Sequence, residues 1–132
     1  MELDTALQMA RNVAKVAQCG AEAADFDGSR LLICAPVEAK ACAATEACTN
    51  ATPGELGAPK FVRIDFEKQV VVGPQRTTPI KVMEKSESQI LLMGTELGFG
   101  WTMVLDQDSG DLSATVSDRD GTIVLFGSCT PL

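Results

Sequence analysis

The stretch "WTMVLDQDSGDLSATVSDRDGTIVLF", residues 101–126, decides the fold class. It contains three apolar runs, separated by "DQDSGD" and "SDRDGT", and in the first two runs every second side chain is apolar. Such alternation indicates a strand with one buried face. Asp-Gly and Ser-Gly are typical of hairpin turns. The stretch therefore predicts three antiparallel strands joined by hairpins.

The same pattern recurs earlier in the chain. Residues 61–66 alternate as well, with Val62, Ile64 and Phe66 on one face. Strands are predicted at residues 31–35, 61–66, 70–72, 80–84, 89–93, 101–105, 112–116 and 123–126. Residues 94–100 are predicted as a loop, and residues 36–59 as a segment poor in strands.

Eight short strands in simple succession predict a mainly β protein, an eight-stranded antiparallel up-and-down barrel. A two-sheet β-sandwich is the alternative. The barrel is favoured because closing a sheet removes the exposed edges that otherwise pair with other chains.

The N-terminal segment has a different period. Apolar residues recur there at helical spacing, which predicts an amphipathic helix over residues 4–19 that ends at Gly20. A chain of 132 residues fits one domain. The chain is therefore interpreted as a single domain, 1–132, with a helical segment at 1–25 and a β-barrel at 30–132.

Composition excludes several classes of function. The chain has no histidine, so it lacks the commonest general base and the commonest metal ligand. Triads of the Ser-His-Asp and Cys-His kinds are impossible, and the chain is predicted to be no enzyme and to use no cofactor or metal. The net charge of −7 disfavours nucleic acid and favours a cationic partner. No apolar run approaches the roughly 20 residues that span a bilayer.

The five cysteines have spacings that fit neither a zinc site nor a C-x-x-C redox pair. Structural disulfides are the preferred interpretation. Cys42–Cys48 would close a small loop, and Cys34–Cys129 would join the first and last strands, which are neighbours in a closed meander. Cys19 is then unpaired. Connectivity does not follow from sequence alone, and Cys19–Cys129 is the competing pair.

Two other features have both a structural and a functional interpretation. The carboxylates of "DQDSGD" and "SDRDG" fail the pattern of an EF-hand calcium loop, so they are interpreted as turn residues. The only tryptophan, in "GFGW" at residues 98–101, is interpreted first as a core anchor. As an alternative, Trp101, Met103 and Phe66 would line a ligand cavity.

A cysteine near the end of the first strand, an eight-strand meander and a last strand ending in "FGSC" resemble small exported bacterial β-barrel proteins. These are similar in architecture to calycins and to periplasmic lysozyme inhibitors. The resemblance covers residues 30–132 and implies export and a binding role. Lipocalins have a Gly-x-Trp on the first strand, whereas Gly98–Trp101 lies near the sixth, so no functional residue is carried over.

Disulfides would place the protein in the periplasm or outside the cell, with the cytoplasm as the alternative. Met1 is followed by an acidic sequence, where a signal peptide would be basic, so export requires that this numbering describes a mature form.

The sequence leaves two hypotheses for the function. The first is a non-enzymatic, exported binding module for an unidentified partner, for example an inhibitor-type binder of a cationic protein. The second is a carrier of a small apolar ligand of the calycin type. An eight-stranded barrel is wide enough for its own side chains or for one small ligand, so a filled interior would exclude the carrier.

Overall fold

In the computed structural model, which describes residues 25–132, ten strands form one antiparallel sheet. The strands are β1 Leu32–Cys42, β2 Thr49–Ala51, β3 Val62–Asp65, β4 Val70–Val72, β5 Thr77–Pro79, β6 Val82–Lys85, β7 Gln89–Glu96, β8 Phe99–Asp106, β9 Asp111–Asp118 and β10 Gly121–Pro131. One turn of 3-10 helix, Gly54–Leu56, lies between β2 and β3. Among the described residues, no helix has the length and the apolar character that a membrane crossing needs.

The order of strands along the sheet is β5-β4-β3-β1-β10-β9-β8-β7-β6, and β2 pairs with β1 beside this path. The outer strands β5 and β6 follow each other in the chain, with only Ile80 and Lys81 between them. The Ile80 N–H donates to the carbonyl of Gln69, just before β4, and the Lys81 N–H donates to the carbonyl of Met93 in β7. The sheet therefore curls into a half-barrel whose outer strands meet at residues 80 and 81.

The prediction of a mainly β, antiparallel fold is confirmed, and the strands lie in one sheet. The predicted number of strands is wrong, since the structure has ten and not eight. The segment around Ile80 forms two strands, β5 and β6. They are separate because β5 pairs with β4, whereas β6 pairs with β7. The other additional strand is β2, within the segment expected to be poor in strands. The helix predicted over residues 4–19 lies outside the described residues.

A β-bulge bends β1 at its middle. The register with β10 shifts between Pro36 and Glu38, which leaves Val37 as the extra residue. Proline has no N–H for the ladder, so a proline within a paired strand is typically found at a bulge. Gly127 lies opposite, where a Cβ would overlap the carbonyl oxygen of Ala35. On its other edge, β1 pairs with β3 before the bulge and with β2 after it, so a gap between β2 and β3 lies beside the bulge.

Apolar side chains fill one end of the half-barrel. The largest fully buried residues there are Leu32, Ile64, Ile90, Leu92 and Leu105. Full burial of each such side chain stabilises the fold by about 1.5–3 kcal/mol. Along β3, Ile64 alternates with the polar Arg63 and Asp65, as the sequence predicts. The filled end therefore supplies the packing that holds the sheet together.

Two disulfides join Cys34 to Cys129 and Cys42 to Cys48, the two pairings preferred from the sequence. Cys34 and Cys129 are register partners in the β1–β10 pair, as neighbouring first and last strands require. The Cys129 N–H points away from β1 and donates to the carbonyl of Gly110, 2.8 Å away. The two cysteines therefore face each other without a backbone hydrogen bond between them. Such directly opposed pairs have the closest side chains in an antiparallel ladder.

Candidate functional site

Within residues 25–132, the other end of the half-barrel is hollow. A cavity of about 380 Å³ lies there, lined mainly by inward-facing residues of β8, β9 and β10. Its walls include Trp101, Met103, Ala114, Val116 and Leu125. Cavities that bind small molecules typically have volumes of about 300–1,000 Å³ and mostly apolar walls with a few polar groups. This cavity therefore has the size and the character of a site for a small ligand.

The loop between β2 and β3 and the bulge form one side of the cavity. Leu56, at the end of the 3-10 turn, and Pro59 contribute to the wall from the loop, and Pro36 contributes from the bulge. The Ala58 N–H donates to the carbonyl of Pro53, 3.0 Å away, and this bond helps to fix the loop. The loop thus lies near the gap that separates β2 from β3.

Trp101 is 8% exposed and lies opposite Gly94 in the β7–β8 pair. Its indole ring packs over that glycine, since a Cβ at residue 94 would lie 2.5 Å from Cζ2 of the ring. The indole N–H is buried and has no hydrogen-bond partner in the described part of the chain. A buried polar group without a partner costs about 1–3 kcal/mol. Such departures from a fully satisfied interior are expected at functional sites.

Glu96 is a carboxylate in the wall of this apolar cavity. It ends β7 on the same face as Ile90 and Leu92, which are buried at the filled end. Its Oε2 atom accepts a hydrogen bond of 2.5 Å from the hydroxyl of Thr78, in β5. This bond connects β5 to β7 and orients the carboxylate where the outer strands of the sheet meet.

The mouth of the cavity is formed by partly exposed apolar side chains. Phe99 and Phe126 line the cavity and are 38% and 41% exposed. Phe99 follows a two-residue turn in which Leu97 has φ +49° and Gly98 has φ +88°. Positive φ is costly for a bulky residue such as leucine, and backbone strain of this kind is concentrated at functional sites.

Of the three side chains predicted to line a cavity, Trp101 and Met103 do so, and Phe66 does not. Phe66 is 7% exposed and belongs to the core. It borders a separate hollow of about 500 Å³ together with Asp27 and Lys85. Hydrogen bonds from Ser29 hold the pKa of Asp27 below its usual value. Phe66 follows β3 at the filled end, next to Ile90 and away from the hollow end.

The sequence pattern did not indicate Glu96, Thr78 or Phe99 as residues of a site. Residues 94–100 were expected to be a loop, whereas β7 continues to Glu96 and β8 begins at Phe99. A signal was present, because Ile90 and Leu92 extend by steps of two to Gly94 and Glu96.

Each of the two acidic turns is stabilised by its first aspartate, in agreement with the interpretation of these carboxylates as turn residues. Asp106 Oδ1 accepts hydrogen bonds from the backbone N–H groups two and three residues later, at 2.8 and 3.2 Å. Asp118 Oδ1 accepts the equivalent pair, also at 2.8 and 3.2 Å. Across residues 25–132, no group of three or more His, Cys, Asp or Glu side chains is placed to hold a metal ion.

Comparisons of the chain with protein-family models, with curated proteins and with solved structures find no match. The interpretation of the cavity therefore depends on its own geometry and chemistry.

Proposed function

We propose that this protein is a non-enzymatic, exported binding module that carries one small, mainly apolar ligand in the hollow end of its barrel. The observation that supports this proposal is the cavity of about 380 Å³ with apolar walls that include Trp101 and Met103. A filled interior would have excluded a carrier. The cavity volume corresponds to about a dozen non-hydrogen atoms, if each occupies about the 30 Å³ of a liquid water molecule.

Export is supported by the two disulfides, since such bonds persist in oxidising compartments. The periplasm or the extracellular space is therefore the proposed location. The alternative, a cationic protein partner, is supported only by the net charge of −7, which describes the chain as a whole and no particular site. The carrier function is preferred over binding of a cationic protein because a specific site, the cavity, supports it.

The test is a titration of the natural protein with decanol, a neutral ten-carbon probe that fits the estimated volume. Trp101 is the only tryptophan, so its fluorescence reports on the cavity wall directly. We expect a saturable change in emission and a rise in the melting temperature, because a ligand that binds only the folded state stabilises it. Absence of both changes up to the solubility limit of decanol would overturn the proposal.

A matched pair of variants locates the binding. Ala114→Leu adds volume on the inward face of β9, whereas Ser128→Leu adds the same side chain at an exposed position of β10 outside the cavity. We expect Ala114→Leu to lose decanol binding and Ser128→Leu to keep it. Circular dichroism verifies that both variants are folded. Equal loss in the two variants would place the binding outside the cavity.

A further inference from the structure

We infer that the cavity selects its ligand by the head group: it binds amphipaths with a cationic amine and discriminates against carboxylates. This inference rests on the proposed carrier function. Its basis is Glu96, the sole ionisable side chain that lines the cavity within the described residues. A neutral apolar pocket would not distinguish two ligands that share an apolar body and differ in charge.

The position of Glu96 places the head group at the mouth. Glu96 is the register partner of Phe99, which is partly exposed at the rim. Deeper in the cavity the wall consists of side chains such as Met103 and Ala114. A ligand with its apolar body among those residues would therefore present its polar end to Glu96, with solvent nearby.

The carboxylate retains capacity for a ligand. Thr78 donates one hydrogen bond to Oε2, whereas an ionised carboxylate offers roughly four acceptor positions. Thr78 also fixes the direction of the carboxylate, so a ligand that binds there has less side-chain motion to restrain. Hydrogen bonds between an ammonium group and a carboxylate are about twice as strong as neutral ones.

The lysine that follows β5 does not neutralise this site. The Nζ atom of Lys81 donates to the hydroxyl of Thr95, 2.6 Å away. Thr95 is exposed and alternates with Glu96 along β7, so it lies on the other face of the strand. The negative charge of Glu96 thus faces the cavity, and the acidic surface of the protein adds attraction for cations and repulsion of anions.

The test compares decylamine, decanol and undecanoate at pH 7 and physiological salt, below the concentrations at which the amphipaths form micelles. All three have the same ten-carbon alkyl chain, because the eleventh carbon of undecanoate is the carboxyl carbon. We expect decylamine to bind roughly tenfold or more tightly than undecanoate, with decanol between them. Equal affinities for the amine and the carboxylate would overturn this inference and leave the carrier function intact. If none of the three binds, the carrier function fails, and this inference fails with it.

Two variants distinguish the effect of the Glu96 charge in the cavity from the effect of the net charge of the protein. Glu96→Gln keeps the shape of the side chain and removes its charge, whereas Glu84→Gln removes one charge from an exposed position in β6 outside the cavity. We expect Glu96→Gln to abolish most of the preference for the amine while decanol affinity stays the same. Glu84→Gln is expected to keep the preference. The same loss in both variants would show that the net charge, and not the cavity, selects the ligand.

Discussion

Trp101 and Gly94 face each other across the β7–β8 pair, and the indole ring occupies the space that a Cβ on residue 94 would need. The carbonyl oxygen of Pro79 lies on the same spot, 2.8 Å from the position of that Cβ. The wall of the cavity at Trp101 thus depends on the absence of one methyl group from the neighbouring strand.

Gly94→Ala should therefore displace the indole ring. We expect a loss of about 1–3 kcal/mol in the free energy of unfolding, because the added methyl meets a ring on one side and backbone on the other. The emission of Trp101 should shift as the ring moves. Gly100→Ala is the control, since a Cβ there meets no atom within 4 Å. Similar losses in both variants would mean that the flexibility of glycine, and not the space it leaves, is what matters.

The two disulfides should contribute unequally to stability. Replacing Cys34 and Cys129 by alanine should cost about 4–5 kcal/mol, because that bond closes a loop with a sequence separation of 95 residues. Replacing Cys42 and Cys48, only six residues apart, should cost about 2 kcal/mol. Urea denaturation of the two double variants measures both. Equal losses would contradict an origin in loop closure.

Leu97→Asn should stabilise the protein. Leucine at φ +49° is strained, and Asn-Gly is the preferred pair for a two-residue hairpin turn with positive φ at both positions. Because Leu97 is 67% exposed, the substitution removes little buried area. We expect a gain of about 1 kcal/mol, measured as a rise of about 4 °C in the melting temperature.

Gly98→Ala is the counterpart of that variant, and it should lower the melting temperature because residue 98 has φ +88°. If Leu97→Asn leaves the melting temperature unchanged or lowers it, the leucine side chain makes contacts that compensate for its backbone strain.

Much of the fold could be predicted because most strands have one buried face. The alternation around Met103 and Ala114 placed β8 and β9, and the aspartates of the hairpins placed the turns between them. The disulfide between Cys34 and Cys129 could be anticipated because the first and last strands of a meander lie side by side.

The hollow end could not be predicted in the same way. Whether a barrel is filled depends on the summed volume of side chains that meet from distant strands, such as Ala114 and Val71. The end of β7 was missed because its turn has a leucine, Leu97, in a conformation that sequence patterns assign to glycine or asparagine. The bulge at Pro36 also depends on a distant residue, since Gly127 makes the room for it.

The bond between Cys34 and Cys129 also determines how the folded protein would respond to a pulling force. The Leu132 N–H donates to the Leu31 carbonyl, 2.9 Å away, so the chain enters β1 and leaves β10 at the same point. Tension applied there would open the β1–β10 pair one residue at a time. It would separate Leu32 from Pro131 and Ile33 from Thr130, and then reach the covalent cross-link. The cavity lies beyond that cross-link, so its walls are shielded from a load applied at Leu31 and Leu132.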